Sequence, residues 1–183
     1  MVVVSWVPMS TNCVVIVGAG PLPERLMRQT CEELATRCAL PLLSHGVGEP
    51  AEPLLNEWRN QNGLIRLSGD AARRQRQACS WLEALSDWKQ PVLLLTAAEA
   101  DGGIPGSAAA YTALCRELNI DLIGLIQLQS DWDDASRRQD GLPWFGWIPD
   151  KDHPDRDDGL EALAMRIRRR LKAVAKAAAS VRA

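Results

Sequence analysis

The residues Gly18-Ala19-Gly20 follow directly on the apolar run Val14-Val15-Ile16-Val17. A glycine turn at the end of a strand lets backbone N–H groups wrap a phosphate, with the positive end of the next helix aimed at the anion. A working nucleotide loop also needs a lysine for the β/γ charge and a Ser or Thr hydroxyl for Mg²⁺. Here the turn runs on through Pro21-Leu22-Pro23-Glu24-Arg25-Leu26. The two prolines remove N–H donors. Glu24 opposes an incoming anion, and Arg25, the cation within reach, does not replace a lysine in so tight a loop. A dinucleotide-binding turn would want a third glycine where Pro23 stands and an acid after the second strand, and neither is present. The remaining reading of Gly18 and Gly20 is a tight strand-to-helix turn with prolines at the helix start.

Other chemistry-bearing residues sit at expected strand ends. Ser44 and His45 follow one strand, Ser68 and Asp70 another, and Asp101, Gly103 and Ser107 lie in or beside the loop 101–106. His45 is a candidate general base or ligand-binding group. The Asp101–Ser107 stretch ends in a helix start suited to an anion. Ser107, His45 and Asp101 have the types of a catalytic triad, but no nucleophile-elbow pattern surrounds the serine. Cys13, Cys31, Cys38, Cys79 and Cys115 are odd in number and never spaced CxxC, which predicts reduced, mostly buried thiols. With only His45 and His153 beside them, no metal site is expected.

The elements that must position these groups alternate. Strands are expected over Cys13–Val17, Leu40–Leu43, Leu64–Leu67, Val92–Leu95, Asp121–Leu128 and Trp144–Ile148. Helices are expected over Leu22–Cys38, Leu54–Arg59, 71–87 (capped by Asp70), Ser107–Leu118 and Gly159–Ala179, with a turn at Asn62-Gly63. Near-continuous apolar strands alternating with helices predict a single three-layer α/β domain with a mainly parallel sheet. In such a sheet ligands bind at the carboxyl ends of the strands.

The second half of the chain resembles a known family. Pro91-Val92-Leu93-Leu94-Leu95, Gly103-Ile104-Pro105-Gly106-Ser107-Ala108-Ala109-Ala110, Leu122-Ile123-Gly124-Leu125-Ile126 and Leu142-Pro143-Trp144-Phe145-Gly146-Trp147-Ile148-Pro149 follow one another in the order seen in dethiobiotin synthetases and related P-loop amidoligases. Pro41-Leu42-Leu43-Ser44-His45-Gly46 is more loosely similar to that family's second-strand segment. The resemblance spans roughly residues 13–150 and implies a P-loop NTPase-like fold. It places Arg25 at the family's loop lysine, Leu26 at the Mg²⁺-binding hydroxyl, Glu24 at the preceding glycine and Gly20 near its loop aspartate. The family's second-strand lysine falls on Leu40 and its acid after the third strand near Ser68, two residues before Asp70. The cation, the metal ligand and the substrate-activating lysine are thus all missing. The expectation is a non-catalytic relative with a binding or accessory role. One alternative is an active ATP-dependent carboxylase or ligase, the only reading that calls for ATP and Mg²⁺; another is a small-molecule-binding α/β module unrelated to ATP. Family members are often dimers, so the resemblance also implies a homodimer.

Composition agrees with one domain. The 183 residues are 46% hydrophobic and 24% charged, with net charge −2, so nothing global points to nucleic acid. No run approaches the roughly 20 apolar residues of a membrane span, and residues 1–8 lack the basic start of a signal peptide, so a cytoplasmic location is expected. Residues 1–12 read as an extension, with Met9 the expected translation start, and 13–183 as the domain. Residues 150–158 are mostly acidic. The last helix carries Leu160, Leu163, Ile167, Leu171 and Val174 on one stripe, with six Lys/Arg over 166–176. Seven tryptophans stand against one Tyr and one Phe; Trp132, Trp144 and Trp147 are expected to pack against the last strand and helix, or to form a partner surface.

Overall fold

The computed structural model describes residues 12–59, 61–75 and 79–181, with side chains through residue 173. Residues 1–11 of the expected extension over 1–12, including Met9, and the side chain of Val174 lie outside the described residues, whereas Asn12 opens the first strand.

Six strands form one sheet: β1 (Asn12–Gly18), β2 (Leu42–Gly46), β3 (Asn62–Ser68), β4 (Val92–Ala97), β5 (Leu122–Leu128) and β6 (Trp144–Ile148). Their order is β2-β3-β1-β4-β5-β6, and every pairing is parallel. β1 lies inside the sheet, and six of its seven residues are buried. That position explains its unbroken run Cys13-Val14-Val15-Ile16-Val17, since a central parallel strand is covered on both faces.

The helices are α1 (Glu24–Cys38), α2 (Ala51–Trp58), α3 (Trp81–Asp87), α4 (Gly106–Glu117), α5 (Asp134–Gln139) and α6 (Arg156–Val181). The chain leaves β1 toward β2 through α1, then runs back across the sheet through α2, α3 and α4. Right-handed crossovers in opposite directions place their helices on opposite faces. The core divides accordingly. Met27, Cys31 and Leu34 of α1 pack with Leu160, Leu163, Ile167 and Leu171 of α6 on one face. Leu55 and Trp58 of α2, Trp81 and Leu85 of α3, and Tyr111 and Cys115 of α4 pack on the other. The expected stripe on the last helix is thus buried through Leu171.

The expected α/β class is the one observed; several boundaries differ. Among the described residues the helix expected over 71–87 is α3 alone, because Asp70 does not cap a helix. Its Oδ1 accepts the Ala72 N–H at 3.0 Å, a local turn. The helix starts instead at Ser80, whose hydroxyl accepts the Glu83 N–H at 3.2 Å while Glu83 accepts the Ser80 N–H at 2.6 Å. Asn62-Gly63 is not a turn but the start of β3, where a Cβ on Gly63 would lie 2.6 Å from the Pro41 carbonyl oxygen. α5 was not expected; Asp133 caps it through the N–H groups of Ala135 and Ser136. α1 begins at Glu24 rather than Leu22, with Pro23 at its N-cap. Among the described residues no helix is long and apolar enough to cross a membrane.

Candidate functional site

Outgoing connections from β1 and from its neighbours β3 and β4 turn to opposite faces, so the crevice for a ligand opens at the carboxyl end of β1. Around it lie Gly18 and Ser68 at the ends of β1 and β3, Gly20 and Asp70 in the loops that follow them, and Ser107 in the first turn of α4. The structure brings these loops together in a way that closes the crevice.

Gly20 has φ +99°, a conformation suited to glycine, and a Cβ built on it would lie 2.4 Å from Ser107 Oγ and 2.5 Å from Ser107 Cβ. Ser107, in the first turn of α4, donates its hydroxyl to the Ala19 carbonyl at 2.9 Å. The Ala19 N–H donates to the Leu95 carbonyl at 2.8 Å. The glycine turn is therefore pressed against α4, and Ser107 fills the space over Gly20. One helical turn further on, Tyr111 donates its hydroxyl to Asp70 Oδ1. Burial, and then the Asp70 carboxylate, push the Tyr111 phenol well above its ordinary value. Ser107 and Tyr111, at i and i+4, share one face of α4. They fasten the β1 loop and the β3 loop to one helix.

On the opposite face, α1 supplies its own anion. Arg66 is the cation within β3, and its Nη1 donates to Glu24 Oε1. Its Nε donates to Ser44 Oγ at 3.3 Å, and Ser68 Oγ donates to Glu24 Oε1 at 3.3 Å. Arg25 is exposed and forms no ion pair with a described residue.

His45 stands apart from this group. Its Nδ1 lies 3.2 Å from Glu49 Oε2, and its ring is 5.4 Å from that of Trp58. The Gly46 N–H, and then His45, hold the Glu49 carboxyl below its ordinary value. Ser107, His45 and Asp101 do not form a triad: each hydrogen-bonds elsewhere, Ser107 to Ala19, His45 to Glu49 and Asp101 to the Gly103 N–H at 2.8 Å. The four thiols Cys13, Cys31, Cys38 and Cys115 are buried, and burial pushes them up to about 11, 12, 11 and 11 respectively, which leaves them unreactive; Cys79 is exposed.

An opening at the strand ends lies instead beyond β4, β5 and β6. It is a cavity of about 700 Å³ lined by Asp101, Gly103, Asp131, Asp133, Asp150 and Arg137, among others. Arg137 is buried and donates Nε to Gln127 Oε1 at 2.9 Å, Nη2 to the Gly102 carbonyl at 2.7 Å and Nη1 to Asp140 at 3.3 Å. The tryptophans flank this region and bond within the chain: Trp132 Nε1 to Asp134 at 2.7 Å, Trp144 Nε1 to Asp140 at 2.9 Å, and Trp147 Nε1 to the Ser130 carbonyl at 2.8 Å. Among the described residues no group of three or more His, Cys, Asp or Glu is placed to hold a metal ion.

Sequence reasoning singled out Gly20 and Ser107 without pairing them, and missed Arg66, Tyr111 and Arg137. Arg66 had a signal, a lone cation in an apolar strand, and so did Tyr111, the single tyrosine. Arg137 lies in a short helix with no apolar stripe and had none.

No family model matches the sequence, and no curated protein matches it. Among solved structures the chain is similar to a de novo designed P-loop fold protein determined by solution NMR, at 11% identity over 91% of this chain and 95% of that one, with a TM-score of 0.31.

Proposed function

We propose that the chain is a non-catalytic relative of the dethiobiotin synthetase-type P-loop proteins, with a binding or accessory role, whose glycine turn takes no nucleotide. The observation that carries this reading is Ser107 seated over Gly20. A phosphate cradle needs open space and free N–H groups at the turn. Here the space holds a hydroxyl and a Cβ, the Ala19 N–H is used by Leu95, and Pro21 and Pro23 have no N–H. On the other face Glu24, in the first turn of α1, is paired with Arg66 and opposes an incoming phosphate. These residues do not fit Mg²⁺-ATP.

Thermal unfolding with and without Mg²⁺-ATP tests the reading. The expected result is an unchanged midpoint for wild type. A rise in midpoint that Arg25→Ala abolishes contradicts it.

The acidic cavity beyond β4, β5 and β6 favours a second reading, a small-molecule-binding module unrelated to ATP. Its position at strand carboxyl ends is where ligands bind in open α/β sheets. A screen of small cationic ligands by thermal shift, with Asp131→Asn and Asp133→Asn as controls, separates the two: a hit lost in both variants supports the module.

A further inference from the structure

The amino ends of the strands hold another opening, at the far end of β1 from the glycine turn. Asn12 and Asn62 start β1 and β3 and are register partners. Two residues on, Val14 and Leu64 face the core under α1 and α6. Strand alternation turns Asn12 and Asn62 to the same side. With Cys38, Leu40 and Leu171 they line a cavity of about 250 Å³, and Arg168 and Lys172 of α6 complete its wall. That volume equals about eight water molecules at roughly 30 Å³ each, room for a fragment-sized ligand.

Two groups on this wall lack partners. Asn12 Oδ1 is buried and accepts no hydrogen bond, a state that costs stability unless a donor arrives. Lys172 forms no ion pair with a described residue. The guanidinium of Arg168, by contrast, is committed to the Arg37 carbonyl at 2.6 Å and to Glu161 at 2.9 Å. The site therefore has one uncommitted acceptor and one uncommitted positive charge. The rest of the wall is apolar. Leu171 is buried, Leu40 is half-buried, and burial pushes the Cys38 thiol up to about 11, so it stays neutral. An occupant that meets all of this has an N–H donor, a carboxylate and a compact apolar body.

We propose that this cavity binds an N-acylated apolar amino acid with a free carboxylate. Its amide N–H donates to Asn12 Oδ1, its carboxylate meets Lys172, and its side chain covers Cys38, Leu40 and Leu171. The site lies at the opposite end of the sheet from the glycine turn, so it is independent of the reading above.

The test titrates N-acetyl-leucine into the full chain, followed by calorimetry and by the amide NMR shifts of Cys38, Leu40 and Asn62. Three analogues each lack one feature. N-acetyl-leucine amide lacks the charge, 2-acetoxy-4-methylpentanoate has an ester oxygen in place of the N–H, and N-acetylglycine lacks the side chain. The amide should bind about two- to fivefold more weakly, since Lys172 is exposed. The ester should bind about three- to tenfold more weakly, and N-acetylglycine at least about tenfold more weakly. Lys172→Gln should lose the preference for acid over amide. Asn12→Val should lose the preference for amide N–H over ester, and it is expected to fold because it removes an unpaired buried acceptor. A parallel arm with acetyl-alanyl-leucine separates two sources of the same chemistry. Tighter binding assigns the ligand to the carboxyl terminus of a peptide, and equal or weaker binding to a free acylamino acid. No saturable shift at these amides overturns the proposal, as does a folded Lys172→Gln or Asn12→Val chain that keeps its preference.

Discussion

The contact between Gly20 and Ser107 makes a quantitative prediction about Gly20→Ala. Two costs combine. A side chain at φ +99° is held in a sparsely populated conformation, worth about 1–3 kcal/mol. The new Cβ also falls 2.4 Å from Ser107 Oγ and 2.5 Å from Ser107 Cβ, an overpacking cost of about 1–3 kcal/mol. The sum is about 2–6 kcal/mol of lost stability, which for a chain of 183 residues lowers the midpoint by roughly 4–24 °C. Ser107→Gly in the same chain separates the two costs. Alone it loses the hydrogen bond to Ala19, about 1 kcal/mol, and about 1 kcal/mol more for glycine in a helix. Combined with Gly20→Ala it removes the clashing atoms and leaves only the backbone strain. The double variant should therefore be more stable than the two single effects predict by about 1–3 kcal/mol. Urea unfolding followed by the fluorescence of the seven tryptophans measures all four chains. Additivity within about 0.5 kcal/mol, or a Gly20→Ala chain within that margin of wild type, refutes the claim that α4 sits on the glycine turn.

Other predictions follow from the same geometry. Tyr111→Phe should cost about 1 kcal/mol, and the lone tyrosine of wild type should show no phenolate absorbance near pH 10, where an exposed tyrosine ionises. Because the folded phenol is raised, its stabilisation is complete below about pH 10 and is lost as pH rises through the folded value, a loss that Tyr111→Phe should abolish. In the native protein a thiol reagent should modify Cys79 fast and the four buried cysteines only after denaturation; fast labelling of Cys31 would contradict the packing of α1 on the sheet. Glu83, held below its ordinary value by the Ser80 N–H and hydroxyl, stabilises α3 fully above its unfolded value near 4.5 and less as pH falls through the folded one. Acid unfolding of Glu83→Gln should accordingly lack that component.

Parts of this structure were legible in the sequence because they depend on local patterns. The apolar run of β1 marks a strand buried on both faces, and the stripe from Leu160 to Leu171 marks a helix lying on the core. The start of α3 was legible too, in Ser80-Trp81-Leu82-Glu83, a capping box ahead of apolar residues. It was masked by the helix-forming composition of the residues after Asp70, whose side chain turns back on Ala72 and Tyr111. α5 is polar all round, so no periodicity announces it. The candidate site was the least legible part because its contacts are long-range. Ala19 and Ser107 are 88 residues apart, and Glu24 and Arg66 are 42 apart. Local spacing shows that each residue exists, not that the pairs meet.

The two glycines after β1 illustrate what that difference means for function. A glycine turn after a strand is consistent with two demands: room for an anion, or room for another piece of the chain. Local sequence does not separate them, since both require the missing Cβ. What separates them is the residue that comes to the empty volume, and here that residue is Ser107, delivered by a helix three strands later. On the opposite face the buried Arg66 needs an anion, and Glu24 from the first turn of α1 supplies it. Both parts of the crevice that a phosphate would use are thus satisfied from within the chain. Unfilled space lies beyond β4, β5 and β6, where the acidic cavity opens, so a ligand search should begin there with cations and at the glycine turn only after Ser107 has been changed.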